Sequence, residues 1–68
     1  HPSVDWAQRD RALVAQLEQL DGEARSLSAL ERALGRPDWL RKYKARLPLS
    51  YALAVRLVAA YAAQHPKP

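Results

Sequence analysis

The residues of this chain best suited to chemistry are the arginines and lysines between Arg36 and Arg46. These eleven positions contain five basic residues and one acidic residue, Asp38. Residues 1–34 hold four basic and six acidic residues, whereas residues 35–68 hold seven basic residues and one acidic residue, so the net charge of +4 lies wholly in the second half. Lysine and arginine grouped in this way neutralise phosphates, and arginine also recognises the edge of guanine. The charge distribution therefore predicts a polyanion as the binding partner.

Helical spacing predicts the elements that position these charges. A short helix begins after an N-cap at Ser26 or Ser28, where the residues from Ser28 to Glu31 match a capping box. Glycine is among the strongest breakers of helices, so this helix is predicted to end at Gly35.

The following helix is predicted to begin at Pro37 or Asp38, which suit a first turn and an N-cap, and to end at Leu47 before Pro48. Its apolar residues share one arc of roughly 100° on a helical wheel, and basic residues occupy the opposite face. Two helices joined by a tight turn at Gly35, the second one basic on its outer face, match the helix-turn-helix plan. In that plan the second helix enters the major groove of DNA. The apolar arc consists of Trp39, Leu40, Tyr43 and Leu47.

Three stretches carry a resemblance to a known family: Ser26-Leu-Ser-Ala-Leu-Glu-Arg-Ala-Leu-Gly35, then Trp39-Leu40-Arg41-Lys42, then Arg46-Leu-Pro-Leu-Ser50. Together they make residues 26–61 similar to the lambda-repressor-like (Cro/repressor, XRE-type) helix-turn-helix domain. The resemblance implies a DNA-binding domain of a bacterial regulator or mobile-element protein. It also implies that the groove-facing residues are Arg41, Lys42, Lys44 and Ala45, and that Arg36 and Arg46 contact phosphates. If Arg41 and Lys42 both contact phosphate, replacing both with alanine should lower the salt slope of binding by about two.

The rest of the chain also predicts an all-α fold. Alanine and leucine make up 24 of the 68 residues, and Val, with four copies, is the only β-branched type, a composition that favours helices over strands. A first helix is predicted from Trp6 to about Asp21, with an N-cap at Asp5 and a stop at Gly22. Its polar face, which includes Asp10, is expected to lie in solvent.

A last helix from Tyr51 to Gln64, with Ser50 as its N-cap, is apolar nearly all round apart from Arg56. Such a helix is normally the buried centre of a bundle. We therefore expect the whole chain to form one domain, a compact bundle of four short helices with the last helix central and residues 65–68 as a tail. The predicted core consists of Trp6, Leu13, Leu17, Leu20, Leu30, Leu34, Leu40, Tyr43, Leu47, Leu53, Leu57, Val58 and Tyr61.

The same sequence is also compatible with a second function. Without DNA binding, the chain would be a helical protein-interaction module of a larger protein, and its basic face would be an ordinary solvated surface. The alanines of the last helix would then allow a protein partner or a second copy of the chain to pack closely against residues 51–64. A third function is attachment of the helix with Trp39 and Tyr43 to a membrane surface, although core packing is the simpler role for both aromatics.

Catalysis and cofactor binding find little support in the sequence. The chain has no Cys, and His1 and His65 have no partner at metal-ligand spacing. Two glycines are too few for a phosphate-binding Gly-rich loop, so we expect no enzyme, no metal and no cofactor. No signal peptide and no apolar stretch of about 20 residues is visible, which favours the cytoplasm. Because the chain begins with His1 instead of Met, we expect it to be part of a larger protein.

Overall fold

The computed structural model of the chain describes residues 5–66 and contains four α-helices. They are α1 (Trp6–Leu17), α2 (Leu27–Ala33), α3 (Trp39–Lys42) and α4 (Pro48–Gln64), and a 3₁₀ turn at Asp21–Glu23 lies between α1 and α2. No β-strand occurs between residues 5 and 66. The other three helices and the 3₁₀ turn all pack against α4. The predicted all-α bundle with the last helix central is therefore confirmed.

The tail prediction is covered only in part. His65 and Pro66 follow the last residue of α4 and are not helical. Residues 1–4, which begin the predicted domain, lie outside the described residues. Residues 67–68, the second half of the predicted tail, also lie outside them.

Seven apolar residues form the buried core, and it is built mainly of leucine. Its members are Leu13, Leu17, Ala24, Leu30, Leu40, Leu47 and Ala54. The other residues predicted for the core are half-buried and pack against these seven. The prediction missed Ala24 and Ala54, both fully buried, because a small apolar residue carries no strong sequence signal for burial.

Burial of α4 is one-sided, in contrast to the prediction from its apolar character. Leu49 and Val55 are exposed by 58% and 44%, and the alanines of the same face are also exposed. Three short helices cover only one side of a 17-residue helix, so the other side is left facing outward.

The first helix ends earlier than predicted, at Leu17 instead of Asp21. The N–H of Leu20 donates to the carbonyl of Leu17 at 2.9 Å, which is the tighter spacing of a 3₁₀ turn. Gly22 lies in the following 3₁₀ turn and does not cap the helix. This early turn carries Ala24 into the core, where it is fully buried.

The N-cap and the C-terminal turn of α2 follow the sequence closely. The Ser26 hydroxyl accepts the N–H of Ala29 at 3.1 Å, so Ser26 rather than Ser28 is the N-cap. Gly35 has φ of +73°, its N–H donates to the carbonyl of Arg32 at 3.0 Å, and the N–H of the next residue donates to the carbonyl of Glu31 at 2.8 Å. These two bonds and the left-handed glycine form a Schellman motif, which ends the helix. The predicted stop at Gly35 is confirmed.

The third helix is much shorter than predicted, four residues instead of about ten. After Lys42 the chain turns, and the N–H of Arg46 donates to the carbonyl of Tyr43 at 2.9 Å. The turn brings Leu47 fully into the core and places Pro48 at the first position of α4, where its missing N–H costs nothing. The prediction of a helix to Leu47 was therefore wrong, since this residue begins the connection into α4.

The two later helices are capped by carboxylates from other helices. The N-cap residues of α3 and α4, Asp38 and Leu47, provide no side-chain cap. Glu31 instead accepts the N–H of Arg41 in α3 at 3.2 Å. Asp10 caps α4 in the same way.

Asp10 is buried at the start of α4, although the sequence predicted a solvated side chain. Its two carboxylate oxygens accept the N–H groups of Leu49 at 3.0 Å and Ser50 at 2.7 Å. The Ser50 hydroxyl donates in return to the backbone carbonyl of Asp10 at 2.9 Å. Ser50 therefore lies in the first turn of α4 and is not its N-cap, so that prediction was wrong. The predicted capping box from Ser28 to Glu31 was also wrong, because Glu31 turns inward to α3.

Candidate nucleic-acid interface

The segment from α2 to α3 has the layout of a helix, a tight turn and a second helix. Leu30 on α2 and Leu40 on α3 are both fully buried, and the two helices pack against each other and against α4. The Schellman turn at Gly35 fixes the path between them. This segment is the framework that presents the basic residues predicted to bind.

All six predicted site residues are exposed, but only two of them lie on α3. Arg36 lies in the turn before α3, and Arg41 and Lys42 form its last half. The other three lie in the turn that connects α3 with α4. These three residues are Lys44, Ala45 and Arg46.

Arg41 is held by two carboxylates. Its Nη2 lies 3.0 Å from Oε1 of Glu31 and 2.5 Å from Oδ1 of Asp38. Glu31 is almost completely buried, whereas the Arg41 side chain is 48% exposed. The same Glu31 carboxylate accepts the backbone N–H of Arg41, so this one ion pair fixes the orientation of α3 against α2. The geometry therefore gives Arg41 a positioning role, with its charge largely balanced.

Three aromatic rings meet where α1 and α3 approach each other. The ring centroid of Trp6 lies 6.3 Å from that of Trp39 and 5.1 Å from that of Tyr43. Trp39 and Tyr43 are 5.6 Å apart in an edge-to-face arrangement. All three side chains are half-buried and pack against the core. Such contacts favour a rigid cluster, since each aromatic pair adds about 0.5–1.5 kcal/mol beyond area burial.

Four cations surround these rings. The guanidinium carbons of Arg9 and Arg46 lie 5.7 and 5.5 Å from the Trp6 ring. The guanidinium carbon of Arg36 lies 4.8 Å from the Trp39 ring. Lys42 places its ammonium 5.3 Å from the Tyr43 ring. We call these seven side chains the basic aromatic surface: Arg9, Arg36, Lys42 and Arg46 around Trp6, Trp39 and Tyr43.

The basic aromatic surface has a strongly positive character. It includes no carboxylate, and between residues 5 and 66 the ion pairs that form all involve Arg41. Contact with an aromatic face uses the π side of a guanidinium and leaves its N–H groups free to donate in the plane. Three such guanidiniums and the ammonium of Lys42 can hold the phosphates of an anionic polymer.

Sequence reasoning found three of the four cations but missed Arg9. Arg9 lies three residues after Trp6, so the two side chains share one face of α1, and this spacing was the available signal for their contact. It gave no sign that Trp6 would meet α3, because that contact depends on how α1 packs.

The described part of the chain offers few sites of other kinds. Among residues 5–66 no three His, Asp or Glu side chains converge so that they could hold a metal ion. None of the helices described has the length and apolar character needed to cross a membrane.

Comparison with known proteins adds no assignment. A scan against protein-family models finds no matching family, and searches of curated proteins and of solved structures also find no match. The resemblance of residues 26–61 to the lambda-repressor-like family therefore stays a prediction. What this chain binds is inferred from the basic aromatic surface and the helices that support it.

Proposed function

We propose that this domain binds double-stranded DNA through the basic aromatic surface, as part of a bacterial transcription regulator or mobile-element protein. The observation that supports the proposal best is the grouping of four exposed cations around one three-ring cluster, each within 5.7 Å of a ring. Two of these cations, Arg36 and Lys42, belong to the helix-turn-helix segment, and Arg46 follows it in the turn after α3. They lie beside α3, the element that such domains place in the major groove.

Binding by this surface would depend mainly on phosphates. A helix of four residues is only about 6 Å long, so α3 offers few side chains to base edges. Lys44 and Ala45, in the turn after α3, extend the face that would approach the groove, and the small Ala45 allows close approach. The four cations would meanwhile neutralise phosphates on either side and release counterions.

The double variant Lys42→Ala/Arg46→Ala tests the proposal. Removing two phosphate contacts is expected to weaken binding and to lower the salt slope by about 1.8, since each contact contributes about 0.9. Fluorescence anisotropy with a mixed-sequence duplex at several salt concentrations measures both quantities.

The matched control is Arg25→Ala/Arg56→Ala, which removes the same charge from exposed positions outside the basic aromatic surface. Arg25 borders a depression formed with Tyr61 and His65 near the end of α4. An equal loss of slope in the two double variants, or no binding by the unaltered domain at low salt, would contradict the proposal.

A second candidate function, a protein-interaction module that associates through α4, is favoured by the outward face of that helix. Arg56 is the only charged residue in α4, and the rest of the exposed face is almost wholly apolar. An uncovered apolar helix face is typical of a site for a partner or a second copy. The exposed apolar residues are Leu49, Ala52, Val55, Ala59, Ala60, Ala62 and Ala63.

Introducing a charge into this face tests the second candidate. Ala59→Glu is expected to abolish concentration-dependent association, because an unpaired carboxylate would be desolvated at the contact. The control Ala15→Glu makes the same change at an exposed position of α1 and should leave association unchanged. Sedimentation velocity over a wide concentration range gives the mass. A constant monomer mass for the unaltered domain would rule out self-association.

A further inference from the structure

A pocket lies between α1 and the turn that leads into α3. Its volume is about 240 Å³, and it is open to solvent on one side. Its lining residues are Arg9, Ala12, Leu13, Gln16, Arg36 and Trp39. Neither Arg9 nor Gln16 belongs to the helix-turn-helix segment, so that plan does not account for this arrangement.

We propose that this pocket holds a phosphate group of the DNA backbone, so that α1 forms a second contact with the duplex beside α3. This inference rests on the proposed DNA-binding function and names a ligand group and a site for it. It assigns Arg9 and Arg36 of the basic aromatic surface to one phosphate and adds Gln16 of α1 to the residues that touch DNA.

The chemistry of the lining fits a phosphate. The α1 wall supplies Arg9, the turn before α3 supplies Arg36, and no carboxylate lines the pocket. Arginine donates paired N–H groups to phosphate oxygens, and the amide of Gln16 adds a neutral donor. By contrast, the depressions bordered by Asp21 and by Glu23 each contain a carboxylate, which would repel an anion.

The aromatic rings keep the two arginines in place. Arg36 lies over Trp39 and Arg9 over Trp6, and these two indoles belong to the same cluster. A guanidinium positioned in advance loses less rotamer entropy when it binds an anion. The two walls therefore present their charges before the ligand arrives.

The geometry of α1 also suits a backbone contact. Arg9, Ala12 and Gln16 are three and four residues apart, so they lie on one face of the helix. Ala12 between the two longer side chains leaves room for a phosphate to approach the helix closely. Since Arg36 and Trp39 flank the start of α3, a phosphate in this pocket would lie next to the helix-turn-helix segment.

The test compares Arg9→Gln with Arg11→Gln. Both residues are exposed arginines on α1, but a spacing of two residues places Arg11 about 200° around the helix from Arg9. Duplex binding is measured by fluorescence anisotropy at several salt concentrations, and thermal unfolding verifies that both variants are folded. Arg9→Gln is expected to lower the salt slope by about 0.9 and Arg11→Gln to leave it unchanged.

A third variant tests the uncharged donor of the pocket, Gln16. Gln16→Ala should weaken binding at every salt concentration without changing the slope, because it removes a donor but no charge. Equal slopes for Arg9→Gln and Arg11→Gln, with the unaltered domain binding normally, would overturn this inference. They would also remove Arg9 from the binding surface, while the proposed contacts of Lys42 and Arg46 keep their own test. Absence of binding by the unaltered domain would overturn the proposed function and this inference together.

Discussion

Replacing Asp10 with alanine is expected to lower the free energy of unfolding by about 3 kcal/mol, since charge-assisted hydrogen bonds contribute about 1.5–3 kcal/mol each and helix caps about 0.5–2 kcal/mol. Asp10 is only 3% exposed, and its carboxylate accepts two N–H groups at the start of α4. Because Ser50 is fully buried, water cannot easily replace the lost acceptor. A domain of this size is stable by roughly 3–10 kcal/mol in total, so the variant should be close to unfolding.

Urea unfolding followed by tryptophan fluorescence measures this loss. The control Asp21→Ala removes a carboxylate from an exposed position in the 3₁₀ turn and should change stability by less than about 0.5 kcal/mol. A similarly small effect for Asp10→Ala would show that α4 does not depend on its distant cap.

The same carboxylate should make stability depend on pH. Burial of Asp10 raises its pKa, but the hydrogen bonds from Ser50 and Leu49 and the charge of Arg11 outweigh burial and lower the pKa below 3.8. Ionisation therefore stabilises the folded state above the unfolded pKa, and this contribution disappears as pH falls through the lower folded pKa. The stability difference between the unaltered domain and Asp10→Asn should shrink below about pH 4, whereas a constant difference down to pH 2 would contradict this account.

Local sequence predicted those helix starts that carry their own cap and missed the others. Asp5 accepts the N–H of Gln8 at 3.0 Å and Ser26 that of Ala29 at 3.1 Å, both three residues away, as a capping pattern requires. The cap of α4 comes from a residue 40 positions earlier in the chain. Because Asp10 lies between two arginines on α1, the local sequence predicted a solvent-exposed side chain, although Asp10 is buried.

The candidate site likewise combines features that the local sequence predicts with contacts between distant residues that it does not predict. The run of basic residues from Arg36 to Arg46 is visible in the sequence, and the structure leaves all of them exposed. The contacts that give these residues their roles come from distant positions in the sequence. Glu31 pairs with Arg41 ten residues later, and Trp6 of the first helix packs against Tyr43. Periodicity identified Trp6 as a core residue but could not indicate which helix it would meet.

Arg41→Ala is expected to lower the free energy of unfolding by about 2 kcal/mol, more than any other replacement of an exposed cation in this domain. Removing one partner of a buried ion pair costs about 3–5 kcal/mol because the other charge stays buried and unpaired. The cost is smaller here because Arg41 is half exposed and Glu31 keeps the backbone N–H of residue 41 as a donor. The neighbouring control Lys42→Ala, at an exposed site without a carboxylate partner, should cost less than about 0.5 kcal/mol.

A double-mutant cycle with Glu31→Gln separates the ion pair from other effects. If the pair is the cause, Arg41→Ala should cost at least about 1 kcal/mol less in the Glu31→Gln background than in the unaltered domain. Strict additivity of the two changes would mean that Arg41 stabilises α3 by some other contact.

The same variant tests whether Arg41 contributes to the proposed DNA binding. Because Glu31 and Asp38 already balance its charge, Arg41→Ala should leave the salt slope nearly unchanged while it lowers stability. The double variant Arg41→Ala/Lys42→Ala should then lower the slope by about one, not by the two units that two phosphate contacts would give. A decrease of two in the salt slope would mean that Arg41 leaves Glu31 to contact DNA. The ion pair that holds α3 against α2 would then break on binding.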